Sequence, residues 1–158
     1  MKQADQVRSL YTQVYLSIII PDTQKLSRPY DRKTAVVSLT RTLATSQAFV
    51  DRYGKKGWGL TCEALLKLLI NPPVPPTADE ASIEDRDVED VGFGVGFTAL
   101  NTCKPPLRDP FPEVQDVRKW AGSFLKAQDQ RTGGRIAKFV QERLSEEART
   151  ALVGVMAA

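Results

Sequence analysis

Apolar residues recur at intervals of three and four along most of the chain, which is the spacing of one buried face of an α-helix. The first stripe predicts a helix from about Asp5 to Ile20, which Pro21 and Asp22 end. Its apolar members are Val7, Leu10, Tyr11, Val14, Tyr15 and Ile18. We expect this face to pack against the helices that follow.

A second helix is predicted after the segment Ser27-Arg28-Pro29-Tyr30, because proline is favoured in the first turn of a helix. Its expected buried face consists of Ala35, Val36, Leu39 and Leu43. Ser46 follows at a position where its hydroxyl can cap a short turn that contains Phe49 and Val50. Two consecutive helical segments are therefore predicted before Gly54.

After Gly54 the pattern predicts a third helix that is apolar around much of its circumference. Its apolar members are Trp58, Cys62, Leu65, Leu66, Leu69 and Ile70. A helix of this kind is expected where neighbouring helices cover it on both sides, as they do in a stack. Trp58 shares the main stripe, so we expect it in the core, whereas Trp120 lies one residue off its own stripe and is expected to be half exposed.

Three more helices are predicted in the C-terminal third of the chain. The first is expected to begin at Asp109-Pro110-Phe111-Pro112-Glu113, because proline at the entry and an acid in the first turn suit a helix N-terminus. A second follows the break at Gly133-Gly134, and the last begins at Ser145 with Glu146 and Glu147. The stripes of the first two are Val114, Val117, Ala121 and Phe124, and Ile136, Phe139, Val140 and Leu144; the last helix carries Ala148, Leu152, Val153 and Met156. With no convincing strand, the predicted fold is all-α.

The octet Arg-Lys-x-Ala-x-x-x-Leu occurs twice, beginning at Arg32 and at Arg118, 86 residues apart. That separation is roughly twice the ~40–47-residue period of HEAT or armadillo units. We therefore predict that residues 1–158 form a single domain, an α–α superhelix of HEAT-like helical hairpins. A stack of such hairpins binds partners and seldom catalyses.

A Pro-rich and acidic insertion is predicted at residues 71–92. It opens with Asn71-Pro72-Pro73-Val74-Pro75-Pro76, whose prolines end the preceding helix. The twelve residues from Asp79 to Asp90 hold seven acids and one base, a net charge of −6, so the rest of the +3 chain carries +9. The insertion is interpreted either as a solvated, mobile segment or as an acidic arm that docks on a basic partner or on this protein's own basic face.

The residue types exclude most catalytic, metal and cofactor chemistry. The chain has no histidine, which removes Ser-His-Asp and Cys-His arrangements and imidazole ligands. Cys62 and Cys103 lack the paired spacing of a zinc site and are expected to be reduced, half-buried thiols. Gly92, Gly94 and Gly96 do not make a dinucleotide fingerprint, because Phe97 stands where the third glycine is needed. We expect no cofactor and no enzyme.

Composition fits an ordinary soluble, intracellular domain. The chain is 42% hydrophobic and 26% charged, and it has no apolar run approaching the roughly 18 residues of a membrane span. The polar start Met1–Gln6 does not resemble a signal peptide. A pI near 8.9 leaves a basic nucleic-acid-binding helical module as one alternative function, although the bases are scattered among helices. A small enzyme that uses carboxylate pairs is a weaker alternative, since no such constellation is recognisable.

Several strings carry a resemblance to a known family. Asp109-Pro110-x-Pro112-Glu113-Val114 with Val117-Arg118-x-x-Ala121 resembles the first helix of a HEAT repeat, and Asp31-Arg32-Lys33-x-Ala35 through Leu43 resembles another. The order of features is similar to the C-terminal end of the CAS-type exportins. That order is Ile18-Ile19-Ile20-Pro21, Lys33-x-Ala35-Val36-x-x-Leu39, Trp58, Leu65-Leu66-x-Leu68-Leu69, an acidic insertion and a final Asp109-Pro110 unit.

This resemblance implies a role in nuclear transport. CAS-type exportins are karyopherin-β relatives that return importin-α from nucleus to cytoplasm with Ran-GTP, so importin-α and Ran-GTP are the implied partners and nucleus and cytoplasm the implied locations. Nucleotide would be bound by Ran and not by this chain. Because members of the family are much longer superhelices, 158 residues would be their last few repeats, with an artificial start at Met1. A generic HEAT-type scaffold is the alternative.

Candidate partner contacts follow from the expectation that the second helix of each hairpin lines one face of a solenoid. For an acidic partner they are Lys55, Lys56, Lys67, Arg135, Lys138 and Arg143. For a basic partner they are Asp79, Glu80, Glu84, Asp85 and Asp87. The alternative interpretation of both groups is a set of solvated charges. In a fragment, the first helix would also expose a face that another repeat covers, which predicts self-association through the truncated end.

Overall fold

A computed structural model describes residues 10, 12–54, 56–73 and 108–157. Within these residues the chain forms helices and no strand, so the all-α prediction is confirmed. The chain divides into two compact units, one made of Met1–Val74 with Phe111–Ala158 and the other of Pro75–Pro110, and every helix described here belongs to the first. Lys55, Cys103, the acidic residues from Asp79 to Asp90 and the run from Gly92 to Phe97 lie outside the described residues.

Helix α1 is built from three short segments with different hydrogen-bonding periods. They are the π-helix Tyr15–Ile19, the α-helical turn Ile20–Asp22 and the 3₁₀ turn Thr23–Lys25. The Ile20 N–H donates to the carbonyl oxygen of Tyr15, so the buried positions fall five residues apart, at Tyr15 and Ile20. The prediction that Ile18 is buried is therefore wrong: its side chain is 53% exposed.

Pro21 does not end α1, contrary to the sequence prediction. It lies at the start of the Ile20–Asp22 turn, where the missing proline N–H is tolerated, and helical structure continues to Lys25. The segment ends only at Leu26, whose backbone is extended. The exposed apolar residues Leu10, Ile18 and Ile19 lie in this N-terminal part of the chain.

Helices α2 and α3 begin where the sequence predicted. Helix α2, Pro29–Thr45, has Pro29 in its first turn and buries Val36, Leu39 and Leu43, while Ala35 is half-buried. Helix α3, Gln47–Tyr53, is capped by the Ser46 hydroxyl, which accepts a hydrogen bond of 3.2 Å from the Phe49 N–H. The apolar faces of these two helices pack into the same core.

Helix α4, Lys56–Ile70, is the centre of the fold. It packs against α1, α2 and α3 and, from the C-terminal part of the chain, against two further helices. Its residues are buried on almost every side, as predicted, and Trp58 is fully buried with its indole N–H donating to the carbonyl oxygen of Leu43 at 3.3 Å. Of the apolar residues predicted for this helix, Ile70 is the most exposed, at 54%, because it lies in the last turn.

Helix α5, Val117–Arg131, begins eight residues later than the predicted entry at Asp109. The start is fixed by the Asp116 side chain, which accepts a hydrogen bond of 3.0 Å from the Lys119 N–H. Val114 precedes the helix but is nevertheless buried. It lies in a turn in which its N–H donates a hydrogen bond to the carbonyl oxygen of Phe111. Ala121 and Leu125 form the buried centre of α5, and Phe124 is half-buried.

The last two helices, α6 and α7, follow the predicted breaks. Gly133 and Gly134 have φ values of 65° and 82°, a left-handed conformation that favours glycine, and α6 then runs over Arg135–Arg143. Ser145 caps α7, Glu146–Ala157, by accepting a hydrogen bond of 3.3 Å from the Ala148 N–H. Within α7 the buried positions are Leu152 and Val155, whereas Val153 is 62% exposed.

The helices pack as a stack of hairpins. Helix α2 packs against α4, and α5 packs against α7, while α2 and α5 lie against each other. The two octets therefore occupy equivalent helices of successive hairpins, which is how a repeat in sequence becomes a repeat in space. This packing agrees with the predicted HEAT-like solenoid.

Candidate partner-binding surfaces

The basic residues predicted to contact an acidic partner divide into exposed and structural members. Lys56 and Lys67 on α4 are exposed, and so is Lys138 on α6. Arg135 and Arg143 are partly buried at the two ends of α6. Helices α4 and α6 pack against each other, so the structure brings the two predicted segments together.

Arg135 holds helices together. Its Nη1 donates to the side-chain oxygen of Gln47 at 2.9 Å, and its Nη2 donates to the carbonyl oxygen of Ala44 at 3.0 Å. Both acceptors lie at the junction of α2 and α3. Arg135 therefore fixes the start of α6 to this junction, and much of its hydrogen-bonding capacity is already used.

Arg143 is also held by its neighbours. Its guanidinium lies over the ring of Phe139, 3.8 Å from the ring centre, and approaches Glu142 at 3.6 Å. Its Nη1 is buried and has no hydrogen-bond partner among the described residues, which is costly for a charged group. Lys138 reaches the same carboxylate at 3.9 Å while its side chain stays 70% exposed. Of the α6 cations, Lys138 is thus the most accessible to a partner.

The exposed part of α4 is a single narrow stripe. Its residues follow at intervals of four, three, four and three, which places them on one side of the helix. We call this surface the α4 stripe; its members are Lys56, Leu60, Lys67 and Ile70, which are exposed, and Glu63, which is half-buried. Leu60 and Ile70 are 36% and 54% exposed, so two apolar side chains alternate with charged ones. Such a mixture suits a polar protein–protein interface with apolar anchors.

The α4 stripe ends in a shallow groove of about 310 Å³ against the first turn of α7. Glu63, Lys67 and Ile70 form one wall, and Glu147 and Ala151 are on the other. The sequence predicted the two lysines but missed the apolar members, because Leu60 was not assigned to a face and Ile70 was assigned to the buried one. The spacing of four and three residues from Lys56 would have placed both apolar residues on the same face as the lysines.

A second groove joins the two octets. We call it the octet groove; it has a volume of about 490 Å³ and is formed by the start of α2, the end of α4 and the start of α5. Its lining residues are Pro29, Arg32, Lys33, Val36, Leu68, Leu69, Pro73, Gln115, Asp116, Val117 and Arg118. Sequence reasoning singled out the octets as evidence of a repeat but did not predict that they share a cavity.

Aromatic residues cluster on the surface where α2 meets α5. The Arg41 guanidinium lies 5.4 Å from the ring centre of Phe111 and 5.8 Å from that of Trp120, and Trp120 stacks on Phe124 at 5.0 Å. Trp120 is half-buried, as predicted from its position one residue off the stripe. The cluster ties α2 to the segment that precedes α5.

Cys62 has the environment of a core residue. It is free and fully buried, and burial, with a smaller contribution from the charge of Glu63, raises the pKa of its thiol to about 12. A thiol with this pKa is neutral and unreactive at neutral pH. In the described part of the chain no cluster of three or more Cys, Asp or Glu side chains could hold a metal ion. None of the helices described here is long and apolar enough to cross a membrane.

Comparison with known proteins identifies related sequences over nearly the whole chain. The family model described as "CAS/CSE protein, C-terminus" matches residues 1–155. The importin-alpha re-exporter of Schizosaccharomyces pombe is 27% identical over 155 residues, which are 94% of this chain and 16% of that protein. Exportin-2 of Xenopus laevis is 27% identical and that of Homo sapiens 26%, each over 151 residues, 94% of this chain and 15% of theirs.

The chain thus spans about one sixth of the length of these relatives. Their names describe export and not catalysis, which confirms at the level of the family the expectation that the chain is not an enzyme. The resemblance inferred from the order of sequence features is confirmed as well. No solved structure matches the chain significantly.

Proposed function

Because the chain belongs to the CAS/CSE protein family, as part of the region at its C-terminus, we propose that it is a segment of a nuclear transport receptor. It contributes by protein–protein binding to the export of importin-α from the nucleus, together with Ran in its GTP-bound form. The observation that carries the proposal is the match over 94% of the chain to a protein named for importin-alpha re-export. The protein accordingly shuttles between nucleus and cytoplasm through the nuclear pore.

The α4 stripe is the surface that we assign to partner binding. Leu60 and Ile70 supply exposed apolar area. Burial of this area by a partner contributes about 25 cal/mol per Å² to the free energy of binding. Lys56 and Lys67 flank them and favour an acidic partner surface. Because these charges lie at an exposed rim, they act mainly on the association rate and on its dependence on salt.

The remaining predicted contacts have complementary roles in this proposal. Lys138, exposed on the neighbouring helix α6, adds a further cation for an acidic partner. The acidic residues Asp79, Glu80, Glu84, Asp85 and Asp87 are assigned to a basic partner surface on grounds of charge alone. Guanine nucleotide is bound by Ran, and this chain needs no cofactor of its own.

The test is a pull-down of purified importin-α by the immobilised 158-residue chain, with and without Ran locked in its GTP state. It is carried out at low salt and at about 0.15 M salt, where charges separated by more than roughly 8 Å no longer interact strongly. We expect importin-α to be retained at both salt concentrations, and more of it with Ran-GTP. If neither protein is retained at either salt concentration, the chain does not carry an autonomous transport contact and the proposal fails for this segment.

Charge reversal assigns the contact to a surface. The variant Lys56→Glu/Lys67→Glu changes the α4 stripe, and Lys126→Glu is the control because it is an exposed lysine on α5, away from the stripe. We expect the double variant to lower the association rate about tenfold and the control to lower it less than twofold. Equal effects of the two variants would remove the α4 stripe from the proposal.

A further inference from the structure

The octet groove combines apolar walls with an excess of positive charge. Val36 of α2, Leu68 and Leu69 of α4 and Val117 of α5 contribute apolar surface. The charged residues of its lining are Arg32, Lys33, Arg118 and Asp116. We propose that this groove binds an extended, acidic segment of a partner protein, with one apolar side chain of that segment seated between α2 and α4.

The two octets use the same arginine position differently. Arg32 in the first octet donates from Nη2 to the carbonyl oxygens of Leu68 and Asn71, both at 2.8 Å, and so completes the C-terminus of α4. Arg118 occupies the same position in the second octet but is exposed and makes no hydrogen bond or ion pair with the described residues. Only the first arginine is therefore needed to hold its hairpin together, and the second is available to a ligand.

The acid in the groove does not neutralise this arginine. The Asp116 carboxylate accepts the Lys119 N–H at 3.0 Å as the cap of α5, so part of its hydrogen-bonding capacity serves the helix. The described residues of the lining include three cations and one carboxylate, so this part of the groove is net positive. Its field therefore favours an acidic ligand.

Size and shape favour a short segment over a folded surface. The volume of about 490 Å³ lies in the range of small-ligand sites, about 300–1,000 Å³, which suits a few side chains of a short segment. The groove is bounded by helix ends at α4 and α5, so a segment crosses it in a few residues. One apolar side chain can occupy the space beside Val36 and Leu69, while a flanking carboxylate meets Arg118.

This inference goes beyond the proposed function, because it depends on the groove and not on which protein supplies the segment. The test uses the full 158-residue chain and a fluorescein-labelled synthetic octapeptide of Asp and Glu with one central Leu. Fluorescence anisotropy is measured at about 0.15 M salt. Two further peptides replace the acids by their amides or the Leu by Ser.

We expect saturable binding of the acidic peptide, with at least tenfold weaker binding of each altered peptide. The substitution Arg118→Glu is expected to weaken binding about tenfold. Lys119→Glu is the matched control: it changes charge by the same amount at the next residue, outside the lining, and is expected to weaken binding less than twofold. Circular dichroism confirms that both variants fold.

Other occupants of the groove are distinguishable in the same experiment. Equal effects of Arg118→Glu and Lys119→Glu would show general attraction and would overturn the proposal. A random single-stranded RNA that binds through Arg118 while the peptide does not would assign the groove to nucleic acid. A dimer of the chain that Arg118→Glu disrupts, again without peptide binding, would assign it to a second copy. Either result overturns the proposal but leaves the importin-α pull-down unaffected.

Discussion

Gly122 on α5 lies directly against the carbonyl oxygen of Val155 on α7, so close that a Cβ atom at position 122 would overlap this oxygen. The same Cβ would also lie 3.2 Å from the Cα of Met156. Because the obstructing atoms are backbone, they cannot rotate away as a side chain does. The crossing of α5 and α7 therefore requires glycine at this position.

The substitution Gly122→Ala should destabilise the protein strongly. The added methyl group forces α5 and α7 apart, and overpacking of this kind costs about 1–3 kcal/mol. Urea denaturation followed by circular dichroism measures the free energy of unfolding. Gly154→Ala on α7 is the matched control, because a Cβ there meets no atom of the described residues within 4 Å. It should gain about 0.5–1 kcal/mol from the lower flexibility of alanine, and a loss comparable to that of Gly122→Ala would contradict this account of the crossing.

The asymmetry of the two octets gives a second prediction. Arg32→Met removes the donors to Leu68 and Asn71 at the end of α4 and should lower the free energy of unfolding by about 1–3 kcal/mol. Arg118→Met alters the equivalent position of the other octet. It should change the free energy of unfolding by less than about 0.5 kcal/mol, as substitutions of exposed residues usually do. Thermal and urea denaturation of both variants measure the difference. Two equal losses would mean that both arginines are structural.

Most of the fold was predictable because helical periodicity reports burial directly. The stripes of α2 and α4 and the breaks at Ser46 and Gly133-Gly134 follow from spacing and capping chemistry alone. The error at Ile18 occurs where the period is not that of an α-helix. The π-helical turn Tyr15–Ile19 shifts the buried position from Ile18 to Ile20. No residue type in this segment indicates that the hydrogen-bonding period changes.

The candidate surfaces were less predictable because exposure depends on which helices become neighbours. Arg135 and Arg143 have the same charge as Lys138, but the structure ties both to other helices or rings. Gly122 stands where the first octet has Val36, and its significance becomes clear only from the crossing with α7. A repeat in sequence thus indicates equivalent helices but does not show which positions have diverged in role.

The start of α5 allows a direct test between the sequence prediction and the structure. Asp116→Ala removes the side chain that caps the helix and should cost about 1 kcal/mol of stability. Glu113→Ala removes the acid that the sequence placed in the first turn, and it should be nearly neutral because Glu113 is exposed and precedes the helix. Urea denaturation of the two variants separates the alternatives. A larger loss for Glu113→Ala would move the start of the helix to the earlier position.

Cys62 predicts a loss of stability at high pH. Burial raises the pKa of the folded thiol from 9.0 to about 12, so between these values the unfolded chain releases a proton that the folded chain retains. Below pH 9 both states are protonated and the thiol adds no pH dependence. Between pH 9 and about 12, the free energy of unfolding should fall by about 1.4 kcal/mol per pH unit.

Comparison with Cys62→Ala isolates this effect from the titration of tyrosines and lysines in the same range. Both proteins carry Cys103→Ser, so that the second thiol of the chain does not contribute. Urea denaturation between pH 8 and about 11 should show the steeper decline only in the protein that retains Cys62, because alanine has no proton to lose. Parallel declines would mean that Cys62 becomes accessible to water before the fold opens, which is incompatible with its place beneath the helices that cover α4.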